Sequence, residues 1–299
     1  MKVIILLFTY QHEAYIEQAL EGICIQQVNF PFEVCISDDG SMDGTREKIQ
    51  VFLKKYPDFP ARLFFPDKNT GIVQSAKRVL TSIHSTYFAL LDGDDYWTDP
   101  LKLQKQVDFL DANSEVNGCF HNARFLHEKA AEEILFQGNQ SYHERYQYPE
   151  IIFPNDLVKR LILPTSSMMV KTAFIPTIPW SSFSDDYSVT WKMTCYAIAK
   201  STFHFMNEEM SVYRNHMKGL SKSAKLPFHQ SHIHFLNQLL NEPLYVLYQL
   251  EILQSIHFEI RHILENCELS NSQKKRYFWL QITRSIQEQR CYYKRIFRK

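Results

Sequence analysis

The chain has 299 residues, 45% of them apolar, with 33 basic side chains balanced by 33 acidic ones. That length and apolar content suit two domains or one large α/β domain with an extension, and the balanced charge argues against a whole-chain nucleic-acid binder. Eight glycines and twelve prolines exclude collagen-like and low-complexity classes.

The first third alternates two periodicities. Val3 to Phe8 is a continuous apolar run of strand length, as expected of a strand buried on both faces. Residues 12–27 carry Tyr15, Ile16, Ala19, Leu20 and Ile23 at helical spacing. Phe32 to Ile36 reads as a second strand, and Asp43 to Lys55 as a helix that closes before Pro57. Arg62 to Phe65, Ile72 to His84 and Tyr87 to Leu91 continue as strand, helix and strand. This order predicts an α/β fold with a doubly wound, mostly parallel sheet, whose ligands sit outside the carboxyl ends of the strands. Pro100 to Ala112 is a further predicted helix, and residues 128–150 read as a long polar surface loop. Leu161 to Val170 is apolar again, and Val189 to Ala199 is helical. Beyond about residue 220 the pattern is helical only, with breaks near Pro243 and Ser270.

The polar clusters that end the predicted strands carry the functional signal. They are Thr9-Tyr10-Gln11, Ser37-Asp38-Asp39-Gly40-Ser41, Asp67-Lys68-Asn69-Thr70-Gly71 and Asp92-Gly93-Asp94-Asp95. A parallel sheet brings all four to one edge. Three carboxylates within Asp92–Asp95 repel one another, and a divalent cation removes that cost by bridging one or two of them to waters and phosphate oxygens. The alternative is a solvated acidic turn. Asp39 to Gly44 matches the first half of a calcium loop, but Gln50 stands where that loop needs a bidentate Glu. There is no Gly-x-Gly, P-loop, His-Glu-x-x-His or Gly-x-Ser-x-Gly.

Phe8-Thr-Tyr-Gln-His-Glu13, Ser37 to Thr45, Lys68-Asn-Thr-Gly71, Leu91 to Trp97, Pro164 to Met168, Asp185-Asp-Tyr187 and Met210 to His216 run in one order over residues 1–220. That ordered set resembles the family 2 glycosyltransferases of GT-A fold. The resemblance implies a 1–220 catalytic domain, with a nucleotide-binding half over about 1–112 and an acceptor half over about 113–220, followed by a helical extension at 221–299. It implies inverting transfer of a sugar from a nucleotide-diphosphate donor, UDP first among candidates, to a saccharide or lipid-linked acceptor in surface polysaccharide or glycoconjugate synthesis. The cofactor it implies is a divalent metal, Mn²⁺ or Mg²⁺.

On the same resemblance, Thr9 and Tyr10 line the nucleoside pocket, and Asp39 reads the base, with Asp38 beside it as the residue that orients the turn. Lys68 and Asn69 lie near the nucleotide, and Lys77 or Arg78 meets phosphate. Asp92 and Gly93 approach ribose or metal. Asp94 ligates the metal, with Asp95 as a third participant, and His216 ligates it or meets a phosphate. Arg214 belongs to the segment that closes over the diphosphate. Asp186 is the candidate base, with Asp185 as its neighbour, and a cap on the following helix is the alternative role for one of them. His121 and Asn122 are candidates for the acceptor side. The three histidines at 229, 232 and 234 read as helix surface.

Residues 270–299 hold nine Lys or Arg and one acid, Glu288, for a charge of +8 against −8 for residues 1–269. Over 274–299 these cations interleave with aromatics, the composition of a membrane-surface helix or of a helix that packs its rings on the domain. No apolar run approaches the length of a membrane span, and the six cysteines show no paired spacing. The expected setting is cytoplasmic, with peripheral contact at the inner face of a membrane through 274–299. A sugar-phosphate nucleotidyltransferase would need a Gly-rich basic loop after the first strand, which Thr9 to Ala14 lacks. A non-catalytic nucleotide-sugar scaffold is the other alternative, and it has no need of Asp94 or Asp186.

Overall fold

The computed structural model describes residues 1–127, 140–159, 163–183, 187–216 and 225–297. The predicted alternation is present in its first third: β1 (Val3–Thr9), α1 (Ile16–Cys24), β2 (Phe32–Asp38), α2 (Thr45–Lys55), β3 (Ala61–Phe64), α3 (Ile72–Leu80) and β4 (Tyr87–Asp92). All seven residues of β1 are buried, because it lies in the middle of the sheet with β2 on one side and β4 on the other. A strand covered on both faces needs no polar alternation.

The chain then adds β5 (Tyr96–Trp97), α4 (Lys102–Ala112), β6 (Gly118–His127), α5 (Tyr142–Tyr146), β7 (Ile151–Ile152), α6 (Pro154–Val158), β8 (Met169–Lys171), α7 (Val189–Ile198) and β9 (Phe203–Asn215). The sheet order is β3-β2-β1-β4-β8-β6-β9-β5, with β7 paired to β9. Strands β1, β2, β3, β4, β6 and β9 run one way, and β5, β7 and β8 run the other. The fold is therefore α/β with a mostly parallel central sheet, as expected. Part of the segment read as a long surface loop is structured: a capping box from Ser141 and Glu144 starts α5, and Tyr142 is buried against Phe125 with ring centroids 4.1 Å apart.

Helices α8 (Lys225–Leu239), α9 (Gln249–Asn266) and α10 (Asn271–Phe297) follow, and the breaks fall near Pro243 and Ser270. Two apolar layers flank the sheet. One joins Val3, Ile5 and Leu7 to Ile16, Leu20 and Leu103. The other joins Ile4, Leu6 and Phe88 to Val79, Met193, Phe235, Leu236, Ile252 and Ile256. The extension thus shares a continuous core with the sheet.

Candidate active site

Parallel register gathers the polar strand ends. Thr9 pairs with Asp38 across β1 and β2, and Phe8 pairs with Asp92 across β1 and β4. The ladder runs one step beyond the strands: Asp39 N–H donates to the Thr9 carbonyl at 3.0 Å, and Gly93 N–H to the Phe8 carbonyl at 2.7 Å. At Gly93 the backbone is packed so closely that a Cβ would stand 2.7 Å from Thr9 Oγ1 and 2.9 Å from His12 Nδ1. The sequence expectation of a shared edge is met for all four clusters.

Asp38 is fully buried and organises the turn after β2. Its Oδ1 accepts from Ser41 N–H at 3.0 Å and from the Arg46 guanidinium, which also donates to the Pro66 carbonyl at 2.6 Å. Asp39 faces the next loop. Its Oδ1 accepts from the Thr70 backbone at 3.0 Å and the Thr70 hydroxyl at 2.7 Å, and its Oδ2 accepts from Gly71 N–H at 2.8 Å. Both oxygens of Asp39 are thus already engaged in bracing the Lys68–Gly71 loop. Gly40 has φ +81°, and a Cβ there would stand 2.4 Å from Asn69 N, so this turn needs glycine. Arg78 reaches the loop through a 2.9 Å bond to Thr70 Oγ1, whereas Lys77 is exposed on α3. Tyr10, Lys68 and Asn69 are exposed at the rim.

Asp94 lies between two imidazoles. Its Oδ2 is 3.0 Å from His216 Nε2 and 3.6 Å from His12 Nε2. Burial raises the Asp94 carboxyl, but the His216 hydrogen bond and the charge of both rings outweigh it and hold the group below the usual carboxylate range. Asp92 has no such partners, and burial together with Asp94 pushes it up to about 7. Burial and the same two neighbours push Asp95 well above its ordinary value. Asp95 Oδ1 accepts from Arg214 N–H at 3.0 Å, which ties the turn after β4 to the end of β9. The Arg214 guanidinium lies 5.1 Å from the Tyr15 ring centre and 4.8 Å from that of Tyr96, and it donates to Gln18. The Tyr15 ring stands 5.0 Å from the His216 ring.

His12 and Tyr15 were not singled out from sequence. His12 sits inside the Phe8–Glu13 motif, and that was its only signal. Burial pushes its imidazole below the ordinary value despite the opposing pull of Asp94. His121 stands in β6. It is fully buried, with Nδ1 2.7 Å from the Asn122 carbonyl, and burial followed by the charge of Lys102 depresses its pKa strongly. Asp185 and Asp186 lie outside the described residues, as do residues 128–139 and 217–224.

The donor chemistry suits a divalent cation. Asp92 and Asp94 offer hard oxygens and His216 offers an imidazole, and a cation would offset the burial and the Asp94 charge that raise Asp92. Among the described residues no three His, Cys, Asp or Glu side chains form a metal-holding group. A cation here would therefore take one or two protein ligands.

The imidazoles thought to lie on a helix surface are not all there. His229 and His232 are buried, and both contact the fully buried Glu259 at 2.6 and 2.8 Å. His234 remains on the exposed side of α8, 3.1 Å from Gln238.

Comparison with known proteins follows this geometry. Residues 4–169 match the model of glycosyl transferase family 2. An uncharacterized protein of Mycobacterium tuberculosis, Rv1520, is 32% identical over 223 residues, which cover 72% of this chain. The match spans 59% of that relative's length. The putative teichuronic acid biosynthesis glycosyltransferase TuaG of Bacillus subtilis is 31% identical over 102 residues, 34% of this chain and 39% of its own. The crystal structure of Staphylococcus aureus TarS 1-349 in complex with UDP-GlcNAc superposes with a TM-score of 0.67 at 14% identity, over 92% of this chain and 78% of that one. The fold agrees, the motifs run in order along one sheet edge, and more than half of the chain fits one family model: the chain belongs to glycosyl transferase family 2.

Proposed function

We propose that the chain transfers a glycosyl group from a nucleoside-diphosphate sugar, a UDP-sugar first, to a saccharide or lipid-linked acceptor, in surface polysaccharide or glycoconjugate assembly. The observation that carries this reading is Asp94, held between His216 and His12 beside a loop braced by Asp39. The UDP-GlcNAc bound by TarS and the teichuronic acid role in the name of TuaG support the donor and the pathway class.

In this reading Thr9 and Tyr10 border the nucleoside, and Asp38 and Asp39 hold the two turns that shape its pocket, with Asp39 free to exchange a loop bond for the base edge. Lys68, Asn69 and Arg78 face the nucleotide, and Asp92 and Gly93 lie against ribose. A divalent cation, Mn²⁺ or Mg²⁺, would be held by Asp94 together with Asp92 or His216, where it would neutralise charge on the diphosphate. Arg214, clamped between Tyr15 and Tyr96, is a fixed positive charge beside that position. Asp95 fixes the backbone of Arg214 and so sets where that charge stands.

The acceptor oxygen attacks the anomeric carbon while the bond to the diphosphate breaks on the opposite face, which inverts the configuration. A carboxylate takes the acceptor proton, and Asp186 with its neighbour Asp185 is the assigned base. No described helix is long and apolar enough to cross a membrane. In this reading a lipid-linked acceptor is met at a membrane surface through the basic, aromatic residues 274–299.

Melting temperature against a panel of nucleoside diphosphates, each with and without Mn²⁺ or Mg²⁺, tests the site. Ligand bound only to the native state raises stability by mass action. A rise with one nucleotide only when metal is present supports the reading and names the donor base. No rise with any nucleotide overturns it. The anomeric proton coupling of the product then tests inversion.

A further inference from the structure

The start of α1 and the end of β9 meet at one aromatic ring. Tyr15 immediately precedes α1, and its backbone is held in both directions. Its N–H donates to the His12 carbonyl at 2.9 Å, and its carbonyl accepts from Gln18 N–H at 3.0 Å. The half-buried ring carries two side chains from the β9 end. The Arg214 guanidinium lies 5.1 Å from the ring centre, and the His216 ring centre lies 5.0 Å away with 44° between the planes. Both are favourable separations, one for a cation beside an aromatic ring and one for a ring pair. The His12 ring meets Tyr15 edge-on, with centres 6.4 Å apart.

The surrounding frame is rigid. Tyr96 of β5 gives Arg214 a second ring at 4.8 Å, and Gln18 Oε1 accepts from the guanidinium. Tyr96 is paired to Val212 of β9, and α1 meets β5 backbone to backbone: a Cβ on Gly22 would stand 2.8 Å from Trp97 N and O. Asp95 Oδ1 accepts from Arg214 N–H at 3.0 Å, and His216 Nε2 stands 3.0 Å from Asp94 Oδ2. Arg214 therefore cannot swing aside without leaving two rings and Gln18. An arginine loses rotamer freedom when it grips an anion, and one already held in place has less to lose. Both side chains come from the β9 side of the sheet. The turns that border the nucleoside in the proposed reading follow β2 and β3, on the other side of β1.

We propose that Tyr15 is a positioning residue that determines specificity for a nucleoside diphosphate over the monophosphate. Its ring holds Arg214 and His216 where the second phosphate of the donor is met. This inference rests on the reading of the strand-end cluster as a nucleotide-sugar site. Tyr15 acts through Arg214 and His216 and touches no reacting atom. A monophosphate uses the nucleoside end of the site but lacks the phosphate that these two side chains would meet. The difference in affinity between the two nucleotides is therefore the quantity that Tyr15 sets.

Isothermal titration with the diphosphate and monophosphate of the same nucleoside, UDP and UMP first, each with Mn²⁺, measures that difference. Tyr15→Leu removes the ring, and Tyr15→Phe keeps it. Tyr15→Leu should bind the diphosphate about threefold to thirtyfold more weakly, the range that a cation beside an aromatic ring is worth. It should bind the monophosphate as the wild type does, which also shows that it is folded. Tyr15→Phe should bind both nucleotides as the wild type does. Tyr15→Met, which fills the space with a flexible apolar chain, repeats the comparison if the leucine variant does not fold. Wild-type affinity for the diphosphate in the ring-less variant overturns the proposal. So does an equal loss for both nucleotides, which would mark general packing, or a loss in Tyr15→Phe, which would assign the effect to the hydroxyl. A wild-type chain that binds neither nucleotide of any such pair overturns the transferase reading, and the role of Tyr15 with it.

Discussion

Asp94 Oδ2 meets His216 Nε2 at 3.0 Å across 122 residues of chain, so the end of β4 and the end of β9 close on each other. If that pair holds a cation, Asp94→Asn removes the ligand charge while keeping the shape. We expect transfer to fall about 100-fold or more, corresponding to roughly 3 kcal/mol of lost charge stabilisation. The metal-dependent part of the nucleotide melting shift should disappear with it. Retention of full transfer by Asp94→Asn would remove the metal role.

Asp39 gives a different signature. Its two oxygens take three hydrogen bonds from Thr70 and Gly71. Asp39→Asn keeps one acceptor and turns an N–H₂ toward an N–H donor. An unsatisfied buried donor costs about 1–3 kcal/mol. The expected outcome is a lower melting temperature and a raised donor KM, with kcat at saturating donor changed least. A kcat loss with unchanged KM would contradict the bracing role.

Lys102 supplies a pH test of the fold. Its side chain is fully buried, with Nζ 3.8 Å from the centre of the Trp97 ring, and burial pulls its pKa down to about 7. Between pH 7 and the ordinary lysine value near 10.5, the unfolded chain holds this proton and the folded chain does not. Stability should therefore rise with pH across that window, by an amount of order a few kcal/mol. Lys102→Met, similar in volume and apolar, should flatten the rise and be at least as stable at pH 7. Denaturant titrations of both proteins at pH 7 and 9.5 compare the slopes, and parallel slopes would show Lys102 charged in its pocket.

The basic tail is testable by flotation. Phe278 and Trp279 of α10 are 55% and 58% exposed, and Ile282 and Ile286 are exposed with them. A helical repeat of 3.6 residues puts these four within about 100° of arc. Exposed Lys275 lies within that arc and Arg290 at its border. Anionic lipid attracts each such cation by about 1 kcal/mol. The chain should float with phosphatidylglycerol vesicles at low salt, release at high salt, and lose binding when the four apolar residues are replaced by serine. A salt-independent dimer that disappears in the same variant would assign this face to a second copy instead.

What the sequence conveyed, and what it withheld, follows from range. β1 was readable because a strand buried on both faces is apolar throughout. The carboxylates after β2 and β4 were readable because they stand directly after such runs. β6 was not, since His121, Asn122 and Arg124 interrupt its pattern, and the first two are buried polar residues. His229 and His232 looked like surface because the group that justifies their burial, Glu259, lies 30 and 27 residues further on. His12 went unmarked for the same reason: Asp94, the carboxylate it faces, stands in the turn after β4, far along the chain.

Strands β1 to β4 pair among themselves, so the nucleotide half can close before β9 has been made. Arg214 and His216, however, lie at the far end of β9, a strand that lies beside β6, made far earlier. A nascent chain stalled on the ribosome before residue 214 would hold the strand-end carboxylates without the imidazole and guanidinium that complete them. Translation itself then withholds chemistry from the growing polypeptide until the sheet receives its last strand.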